Sequence, residues 1–520
     1  MIQLLSVADM RESDKTTIEN GTDSKLLMFR AGEAIFNTIK NYAQPFAIVC
    51  GNGNNAGDGY VLATLMKKAG ISCSLFRITD RFSADGKYYY DQCMELGIKD
   101  FPLYDAEFSS LDDYVSLFED YPTIVDCIFG TGFHGDVKEP ERSIISAINI
   151  HSNNNVTLSD GSQIPVSVVS VDINSGLNGD NGLCDICVHS SLTISIGNLK
   201  PGHFLSMAKD VAKKTVNCDI GIVPVSGCTK LNLIEASDLR EIFYDRPHNS
   251  NKGTYGYIGL IGGSDNYSGA IRLANMAACA MRSGSGVVKL AAPACLGPVI
   301  MPSILESTFY PLSDVDQKMV FVQEEFERLM NLSAIAFGMG IGNTVETKKA
   351  LEYILVNYKG TLIIDADGLN ALSEMDKNIL LDTSANVVLT PHPKEFSRLT
   401  GLGVNDVLCK PIELSMDFAK KYNVTLLLKG ASTIVTDGDS VYICDRGCAG
   451  MATAGSGDVL SGVVAAVCGY NRTQPTMATV AAAYVAGLAG ELASDKYGDI
   501  SMVASDTAMF LAKAINYVKN

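Results

Sequence analysis

Short apolar runs alternate with amphipathic segments along the whole chain. The run Pro45–Cys50 precedes the helix-like segment Tyr60–Ala69, and the helix-like segment Ala84–Leu96 precedes the run Thr123–Ile128. Parallel strands need a crossover connection, which is usually a helix, so this alternation predicts parallel sheets covered by helices on both faces. The predicted fold class is therefore α/β.

The apolar runs form two series, separated by Val225–Ser237, which has no strong periodicity. The chain of 520 residues is also too long for one ordinary core. We predict two domains, residues 1–225 and 234–520. Besides the two runs named above, the predicted strands are Val166–Ile173, Leu192–Ile196, Tyr257–Ile261, Gly286–Ala291, Ala334–Phe337, Thr361–Ile364, Val387–Leu389, Thr425–Leu428 and Ser432–Thr436.

Two other stretches carry structural predictions. The polar segment His151–Pro165 contains Asp160-Gly161, a turn signal, and predicts a surface hairpin. The apolar stretch Met477–Ala493 includes Thr479 and Glu491 and is rich in alanine and glycine, so it predicts a buried helix rather than a membrane span.

Composition and charge exclude some partners. The formal net charge is −17, which argues against a nucleic-acid backbone or an anionic membrane as the main partner. The opening residues show no secretory signal, so we expect a cytoplasmic protein. Fourteen cysteines follow no disulfide framework. The pair Cys184 and Cys187 has CxxC spacing but no second pair, which favours a loop with two thiols over a zinc site.

A glycine-rich segment follows the strand Pro45–Cys50. It reads GNGNNAGDG over residues 51–59 and leads into a helix. Glycines at such a turn expose backbone N–H groups to a phosphate, and the spacing fits the loose dinucleotide fingerprint, which alone is weak. The asparagines and Asp58 add oxygen ligands that a purely structural turn does not need.

Two further predicted strands end in polar residues. VDCIFGTG occupies residues 125–132, and VDINSGL occupies residues 171–177. Each aspartate alone is best explained as a helix N-cap, but ligands bind beyond the carboxyl ends of parallel strands. Together Asn55, Asp126, Asp172 and Ser175 predict an oxygen-lined pocket suited to an alkali or alkaline-earth cation.

These N-terminal segments, over roughly the first 225 residues, resemble the NAD(P)H-hydrate epimerase family. The segments that carry the resemblance are Asn54–Asp58, Val125-Asp126, Gly130–Gly132, Val171–Gly176, Met10-Arg11 with Asp14, Leu27-Met28 with Ala31-Gly32, and Gly197–Pro201. The family usually has glycine where Ala56 stands and proline where Asn174 stands. The resemblance implies a Rossmann-like three-layer sandwich.

The same resemblance implies a ligand set and a reaction. A potassium ion would be held by Asn55, Asp126 and Ser175, and the reaction would invert C6 of the hydrated nicotinamide ring. Asp172 is the candidate general acid and base, and it would also contact the substrate. The other implied contacts of the substrates, NADHX and NADPHX, are Asn54, Asn55, Ala56, Gly57, Asp58, Gly130, Thr131, Gly132, Phe133, His134, Gly135 and Asp136.

The strongest signal in the chain is GMATAGSGDVL at residues 450–460. Small residues lead directly into an apolar helix, so the amides of Gly455 to Asp458 would face an anion at the helix N-terminus. Asp458 would repel a phosphate, and a plain N-cap role is the less favoured explanation. We interpret Asp458 as the base that takes a proton from a hydroxyl attacking a terminal phosphate.

Other C-terminal segments add to this site. Lys429–Thr433 joins two predicted strands and offers a cation and a hydroxyl for nucleotide phosphates, although an ordinary hairpin turn would be the favoured explanation if the segment stood alone. His392 follows a strand between two prolines, and Glu395 is placed to reach a magnesium ion through water. The glycines of Gly338–Gly342 let a ligand approach the backbone. Asp365-Ala366-Asp367 ends another strand, where an N-cap role is the alternative.

These residues resemble the ribokinase-like superfamily and, more narrowly, ADP/ATP-dependent NAD(P)H-hydrate dehydratases. The narrower resemblance rests on Lys252–Gly256, Gly262–Ser264, Tyr267–Ala270, the His392 segment and Gly450–Leu460, with Met339 where proline is usual. It implies a three-layer α/β/α fold, magnesium with ADP or ATP, and substrate contacts at Ala270, Gly340, His392 and Asp458. The implied nucleotide contacts are Lys429, Gly430, Ala431, Ser432, Thr433 and Gly457.

Both resemblances together imply a bifunctional repair enzyme. The N-terminal domain would interconvert the R and S hydrates, and the C-terminal domain would dehydrate the S form by phosphorylation and phosphate elimination. We also expect a homo-oligomer. The alternative is a ribokinase-like small-molecule kinase with a non-catalytic N-terminal binding domain. The choice between ADP and ATP stays open.

Overall fold

The computed structural model describes residues 1–105, 108, 110–158, 161–278 and 282–520. The chain divides into two compact units, one formed by Gln3–Thr229 and the other by Met1–Ile2 with Lys230–Asn520. Each unit is built on a mainly parallel sheet with helices, which confirms the α/β fold class.

The first 229 residues contain a seven-stranded sheet in the order β10-β9-β8-β5-β2-β3-β4, parallel throughout. The strands are β1 (Ile2–Leu4), β2 (Phe46–Cys50), β3 (Cys73–Arg77), β4 (Lys99–Pro102), β5 (Thr123–Cys127), β6 (Asn155–Thr157), β7 (Gln163–Pro165), β8 (Ser167–Val171), β9 (Leu192–Ile196) and β10 (Thr215–Cys218). The helices are α1 (Val7–Glu19), α2 (Ser24–Ile39), α3 (Asn54–Lys68), α4 (Ala84–Glu95), α5 (Leu111–Ser116), α6 (Glu141–His151) and α7 (Ala208–Val211).

Strand β2 shows why this sheet is buried on both faces. Phe46 and Ile48 pack into a core with residues of α2 and α3, whereas Ala47 and Val49 pack into a second core with residues of α6. Successive side chains of a strand point to opposite faces, so an uninterrupted apolar strand needs a helical layer on each side. The unit therefore has the predicted three layers.

The strand order places the ligand crevice of this unit. From β2 the chain moves outward through β3 and β4, and then returns to the other side of β2 at β5. Open parallel sheets bind ligands beyond the carboxyl ends of strands at such a reversal. The segments that leave β2 and β5, residues 51–55 and 128–132, flank this point.

Several local predictions changed in detail. The helix after β2 begins at Asn54 rather than near Tyr60, so the second half of the glycine-rich segment is helical. The predicted hairpin is confirmed as the antiparallel pair β6 and β7, although Asp160 of its turn signal lies outside the described residues. Strands β3, β4 and β10 were missed because they are short and carry charged or polar residues.

The second unit contains an eleven-stranded sheet in the order β1-β11-β22-β21-β20-β19-β18-β17-β12-β13-β14. Its further strands are β11 (Lys230–Leu233), β12 (Tyr257–Ile261), β13 (Val287–Pro293), β14 (Thr308–Leu312), β15 (Asp314–Val315), β16 (Lys318–Met319), β17 (Ala334–Phe337), β18 (Thr361–Ile364), β19 (Asn386–Leu389), β20 (Thr425–Leu428), β21 (Thr433–Thr436) and β22 (Ser440–Cys444). Its helices are α8 (Ser268–Ala278), α9 (Gly297–Ile300), α10 (Gln323–Glu327), α11 (Val345–Asn357), α12 (Asp367–Ser373), α13 (Ile379–Asp382), α14 (Pro393–Thr400), α15 (Val404–Cys409), α16 (Pro411–Tyr422), α17 (Ser456–Tyr470), α18 (Pro475–Tyr497) and α19 (Ala504–Lys519).

Helix α18 is the predicted buried helix. By length and composition it could cross a membrane, but 78% of its most apolar window is buried inside the protein. It packs with α17, α19 and one face of the sheet in a single hydrophobic core. The segment Val225–Ser237, in which we found no strong periodicity, contains β11, where Lys230 and Asn232 interrupt the apolar residues.

We predict that Gly462 of α17 is required for close packing on α8. A Cβ at Gly462 would lie 2.1 Å from the carbonyl oxygen of Ala274 in α8. The substitution Gly462→Ala should therefore lower the free energy of unfolding by about 1–3 kcal/mol, as overpacked cores do.

The matched control is Gly269→Ala in α8, because a Cβ at Gly269 meets no atom within 4 Å. This change should be neutral or stabilising by up to about 1 kcal/mol. Differential scanning calorimetry of the two variants checks the prediction, which is wrong if both variants unfold at the parent temperature.

Candidate functional sites

A cavity of about 710 Å³ opens at the strand reversal of the first unit. This volume lies within the range of small-molecule and cofactor sites. Nine of the predicted site residues line it: Asn54, Asn55, Asp58, Gly130, Thr131, Gly132, Phe133, His134 and Asp172. Ala56 and Gly57 face the protein interior, and Gly135, Asp136, Asp126 and Ser175 are not among its lining residues, so direct ligand contact for these six stays a prediction.

The carboxyl ends of β5 and β8 are tied together by one buried carboxylate. Asp126 is fully buried and accepts hydrogen bonds from Ser175 Oγ at 2.5 Å, Ser175 N at 2.9 Å, Ser170 Oγ at 2.9 Å and Ile128 N at 3.2 Å. Burial raises the pKa of Asp126, and these hydrogen bonds partly offset the effect. The sequence prediction that Asp126 and Ser175 meet is confirmed.

Asn55 lies in the first turn of α3, and it shares the carbonyl oxygen of Phe129 with Ser175 as a hydrogen-bond acceptor. Its Nδ2 donates to the carbonyl oxygens of Phe129 and Val171 at 2.8 and 3.1 Å. Its Oδ1 is buried and has no hydrogen-bond partner in the described part of the chain. An unpaired buried carbonyl oxygen is costly, so a cation ligand is the natural partner for it.

Asp172 faces the same cavity in a constrained conformation. Its backbone adopts a left-handed φ of 65°, which is unusual for a residue other than glycine. Its Oδ2 accepts from the backbone N and the hydroxyl of Thr131 at 3.0 and 3.1 Å, and its Oδ1 accepts from Lys200 Nζ at 2.5 Å. Burial would raise the pKa of Asp172, but Lys200 and the hydrogen bonds hold it below its ordinary value. Asp172 is therefore not a helix N-cap.

Asp58 also lines the cavity, and its pKa is shifted in the opposite direction from that of Asp172. It is 8% exposed, and it makes no hydrogen bond or ion pair within the part of the chain that the structure describes. Burial and the nearby charges of Asp172 and Asp14 raise the pKa of Asp58 well above its usual range. The pKa values of these two cavity-lining carboxyl groups are therefore shifted in opposite directions, downward for Asp172 and upward for Asp58.

The two departures from the epimerase pattern are accommodated. Ala56 lies inside α3 and is not among the residues with a positive φ, so it carries no backbone strain. Asn174 is fully buried, and its Nδ2 donates to Val188 O at 2.8 Å, Ser190 Oγ at 3.1 Å and Val211 O at 3.2 Å. Its Oδ1 accepts from Thr193 at 2.6 Å. Side-chain hydrogen bonds here replace the rigidity of a proline.

In the second unit, helix α17 begins at the predicted place. Its N-cap is Gly455, with a left-handed φ of 95°, and Asp458 lies in its first turn without acting as the cap. Burial and the charge of Asp365 raise the pKa of Asp458 to about 6. The hydroxyl of Ser456 is buried without a partner in the described structure. The N-terminus of α17, which we call the helix mouth, therefore has backbone amides, a hydroxyl and a carboxylate that can accept a proton near neutral pH.

Lys429 and Asp365 form a buried ion pair beside this helix mouth. Lys429 Nζ lies 2.9 Å from Asp365 Oδ1, and Ser461 Oγ of α17 donates to Asp365 Oδ2 at 2.6 Å. A Cβ at Gly457 would be 3.5 Å from Lys429 Nζ and 3.8 Å from Asp365 Oδ2. Lys429, Asp365 and the start of α17 therefore share one small volume, and Asp365 is not a helix N-cap.

His392 and Glu395 lie next to this ion pair at the start of α14. His392 is the N-cap, its Nδ1 accepts from the backbone N of Glu395 at 3.3 Å, and the Glu395 carboxylate accepts from His392 N at 2.9 Å. Glu395 also lies 3.9 Å from Lys429 Nζ. No group of three or more His, Cys, Asp or Glu side chains placed to hold a metal ion occurs among the described residues.

The remaining predicted contacts fall at two nearby loops. A Cβ at Gly340 would lie 3.0 Å from the Cβ of Ala270, so these two positions adjoin. They flank the reversal between β12 and β17, the equivalent of the crevice in the first unit. Gly430, Ala431 and Ser432 form the turn between β20 and β21, and Thr433 begins β21.

Sequence reasoning gave no role to three residues that the structure places in these sites. Lys200 was noted only as part of a family segment, and His203 was not noted at all. Asp365 was noted with an N-cap alternative. Their common signal was a charged or polar residue just after a predicted apolar strand, but only the fold shows which partners such residues meet.

The fold and the two sites define an α/β enzyme of two units, with a cavity at the strand ends of the first unit and a cluster of buried charged residues at the start of α17 in the second. A family model described as YjeF-related protein N-terminus matches residues 24–202, and one described as NAD(P)H-hydrate dehydratase matches residues 258–513. The chain belongs to the family of bifunctional NAD(P)H-hydrate repair enzymes, and this confirms the resemblance noted above.

Relatives of the same description match along nearly the whole chain. The bifunctional NAD(P)H-hydrate repair enzyme Nnr of Moorella thermoacetica is 30% identical over 98% of this chain and 96% of its own length. That of Escherichia coli K12 is 30% identical over 94% of this chain and 89% of its own length. The crystal structure of the ADP/ATP-dependent NAD(P)H-hydrate dehydratase of Bacillus subtilis, co-crystallised with ATP and Mg²⁺, is 27% identical, covers 55% of this chain and 97% of its own, and has a TM-score of 0.47.

We predict that Asn174 is essential for the stability of the first unit. Asn174→Ala leaves the buried carbonyls of Val188 and Val211 and the hydroxyl of Thr193 with fewer partners. The free energy of unfolding should fall by about 2–3 kcal/mol, the cost of buried unsatisfied polar groups. The matched control is Asn153→Ala, an exposed amide, which should change stability by less than about 0.5 kcal/mol. Equal urea midpoints for the two variants would contradict this assignment.

Proposed function

We propose that this chain repairs hydrated nicotinamide cofactors. Its N-terminal domain interconverts R- and S-NAD(P)HX, and its C-terminal domain dehydrates the S form with ADP or ATP as the phosphoryl donor. The observation that supports the proposal is the presence on one chain of two aspartates, one in each unit, whose pKa values are shifted in opposite directions. Asp172 is ionised and held by Lys200 in a cofactor-sized cavity, and Asp458 is a base with a pKa of about 6 at an anion-binding helix mouth.

Dehydration begins with the hydroxyl at C6 of the hydrated ring, which is a poor leaving group. Asp458 takes the hydroxyl proton as the oxygen attacks the terminal phosphorus of the nucleotide. The new O–P bond gives a phosphate ester, the bond from that phosphorus to the bridging oxygen breaks, and ADP leaves when ATP is the donor or AMP leaves when ADP is. The lone pair of N1 then expels phosphate, which breaks the C6–O bond, and loss of a proton from C5 restores the dihydronicotinamide. Lys429 carries a positive charge that suits the phosphates, because Asp365 and Glu395 raise its pKa against the effect of burial.

Epimerisation inverts the same carbon without net change. Asp172 takes the C6 hydroxyl proton, the C6=O bond forms, and the C6–N1 bond breaks with its electron pair going to N1. N1 is conjugated to the ring carboxamide, so it can hold that pair. The aldehyde then turns, N1 attacks its opposite face, and Asp172 returns the proton to oxygen.

Potassium suits the group formed by Asn55, Asp126 and Ser175. All the donors there are oxygen atoms, and the buried Oδ1 of Asn55 has no partner within the described residues. A bound potassium ion would supply positive charge at the mouth of β2, β5 and β8. The chain itself fixes the positions of these oxygens through the hydrogen bonds of Asp126 and of Asn55 Nδ2.

The full chain should convert more NADHX to NADH than its S fraction alone. A mixture of R and S epimers is incubated with ATP or with ADP, and absorbance at the NADH band is followed. Both epimers should be consumed because the N-terminal domain feeds the C-terminal one. If the gain in NADH absorbance stops at the S fraction, the N-terminal domain is not an epimerase. If neither nucleotide gives a gain, the alternative of a small-molecule kinase is favoured.

Single variants should separate the two activities. Asp172→Asn should lower epimerisation at least about a hundredfold and leave dehydration of S-NADHX intact, whereas Asp458→Asn should do the reverse. The reason is that each carboxylate handles the proton of a different step. Chromatography of the two epimers without nucleotide measures the first rate, and absorbance at the NADH band measures the second.

Dehydration should also depend on pH through Asp458. The base must be ionised, so the rate should fall as the pH drops through about 6. Because the folded-state pKa is raised, the charged carboxylate is disfavoured in the fold above that pH. Asp458→Asn should therefore leave stability unchanged or raise it by about 1 kcal/mol at pH 8. Marked destabilisation by this variant would mean that Asp458 is structural.

A further inference from the structure

The segment that follows β9 contains the most deeply buried lysine of the first unit. The side chain of Lys200 is 1% exposed, although it lines the cavity. Its Nζ donates to Asp172 Oδ1 at 2.5 Å, to Ile196 O at 3.0 Å and to Ser195 Oγ at 3.3 Å. An ammonium group has three donors, and here every one of them has a partner. The direction of Nζ is thus fixed on the Asp172 carboxylate.

His203, three residues later, holds the backbone of the same aspartate. Its Nδ1 accepts from Lys200 N at 3.0 Å, so the ring proton is on Nε2, which donates to Asp172 O at 2.8 Å. Burial and the charge of Lys200 lower the pKa of His203 to about 4, so the ring is neutral at physiological pH. One short segment therefore grips both the carboxylate and the peptide carbonyl of Asp172.

These contacts from Lys200 and His203 are needed because the backbone of Asp172 is strained. A left-handed conformation costs an aspartate of order 1 kcal/mol, and it persists only where the surroundings hold it. Asp172 N donates to Ile194 O at 2.7 Å, Thr131 holds Oδ2, and the Lys200–His203 segment holds Oδ1 and the carbonyl. Each hydrogen-bonding group of Asp172 is thus held by a neighbouring segment.

We propose that Lys200 is the positioning residue of the epimerase reaction, and that with His203 it keeps Asp172 charged and aimed at C6 of the hydrated ring. This inference rests on the proposed function. Lys200 acts through Asp172, which moves the proton, and does not itself transfer one. Its loss should affect the chemical step more than substrate binding, because an ionised, preoriented carboxylate matters most while the proton moves.

The test uses the full chain and measures kcat and KM for the approach of pure R-NADHX to the epimer mixture, without nucleotide. Lys200→Met should lower kcat about a hundredfold and change KM less than about threefold. Lys200→Arg keeps a buried cation with donors and should recover at least about a tenth of the parent kcat. Dehydration of S-NADHX by the same preparations reports only on the C-terminal domain, so a urea unfolding curve of each variant checks that the N-terminal domain is folded.

The decisive comparison is a double-mutant cycle. If Lys200 acts only through Asp172, Lys200→Met combined with Asp172→Asn should be no slower than Asp172→Asn alone. The combined variant also removes the unpaired buried charge that destabilises Lys200→Met, so it remains informative if the single variant unfolds. A matched control is Arg77→Met, which breaks another buried ion pair of this unit, with Asp100 at 2.6 Å, away from the cavity lining, and should leave kcat unchanged.

The outcomes separate the inference from the proposed function. A parent chain that does not speed epimerisation overturns both. An active parent with an unchanged kcat in Lys200→Met overturns the positioning role alone. The positioning role is also overturned if the two losses of kcat multiply in the double variant. A similar loss of kcat in Arg77→Met overturns it as well, because Lys200 would then contribute only to general stability.

Discussion

A buried carboxylate at the end of a central parallel strand organises each site of this chain. Asp126 lies near the end of β5 with no exposed surface, and Asp365 follows β18 with 2%. Removing a charge from water is expensive unless hydrogen bonds or an ion pair replace the solvent. Asp126 satisfies the requirement with Ser170, Ser175 and Ile128, and Asp365 satisfies it with Lys429 and Ser461. The loops that carry these partners are therefore held in place.

The two carboxylates then constrain the groups that face the ligand. The backbone N of Phe129 donates to the hydroxyl of Ser175 at 2.8 Å. The segments after β5 and β8 are therefore adjacent. Ser461 belongs to the second turn of α17, so its bond to Asp365 fixes the helix whose first turn bears Asp458. In the second unit a buried carboxylate is thus bonded to the helix that bears Asp458, and in the first unit a buried carboxylate is bonded to Ser175.

Much of this arrangement was predictable from the sequence, because a parallel sheet brings its strand ends together. The alternation of apolar runs and helices identified β2, β5 and β8, and adjacency of their ends followed for Asn55, Asp126, Asp172 and Ser175. The grip of Lys200 on Asp172 could not be predicted, since it depends on a left-handed residue and on the path after β9. Likewise, the Ala366 φ of 48°, which turns the chain after Asp365, has no local sequence signal. Strand β4 was missed because two-sided burial, which makes a strand visibly apolar, is incomplete at the edge of a sheet.

The chemistry of the two steps explains why the environments of Asp172 and Asp458 differ. In the proposed epimerisation the base must be ionised before it takes the proton and must give the same proton back, and Lys200 at 2.5 Å favours the ionised form of Asp172 at both ends of the cycle. Asp458 instead works beside phosphates, where a strongly ionised carboxylate would repel the nucleotide. A pKa of about 6 keeps that carboxyl group close to the balance between neutral and charged forms, so the cost of bringing in the phosphates is reduced while the base is still available at neutral pH. The distribution of cations follows the same logic: the lysine beside Asp172 is bound to it directly, whereas Lys429 is paired to Asp365 rather than to Asp458, which leaves the base free to take a proton.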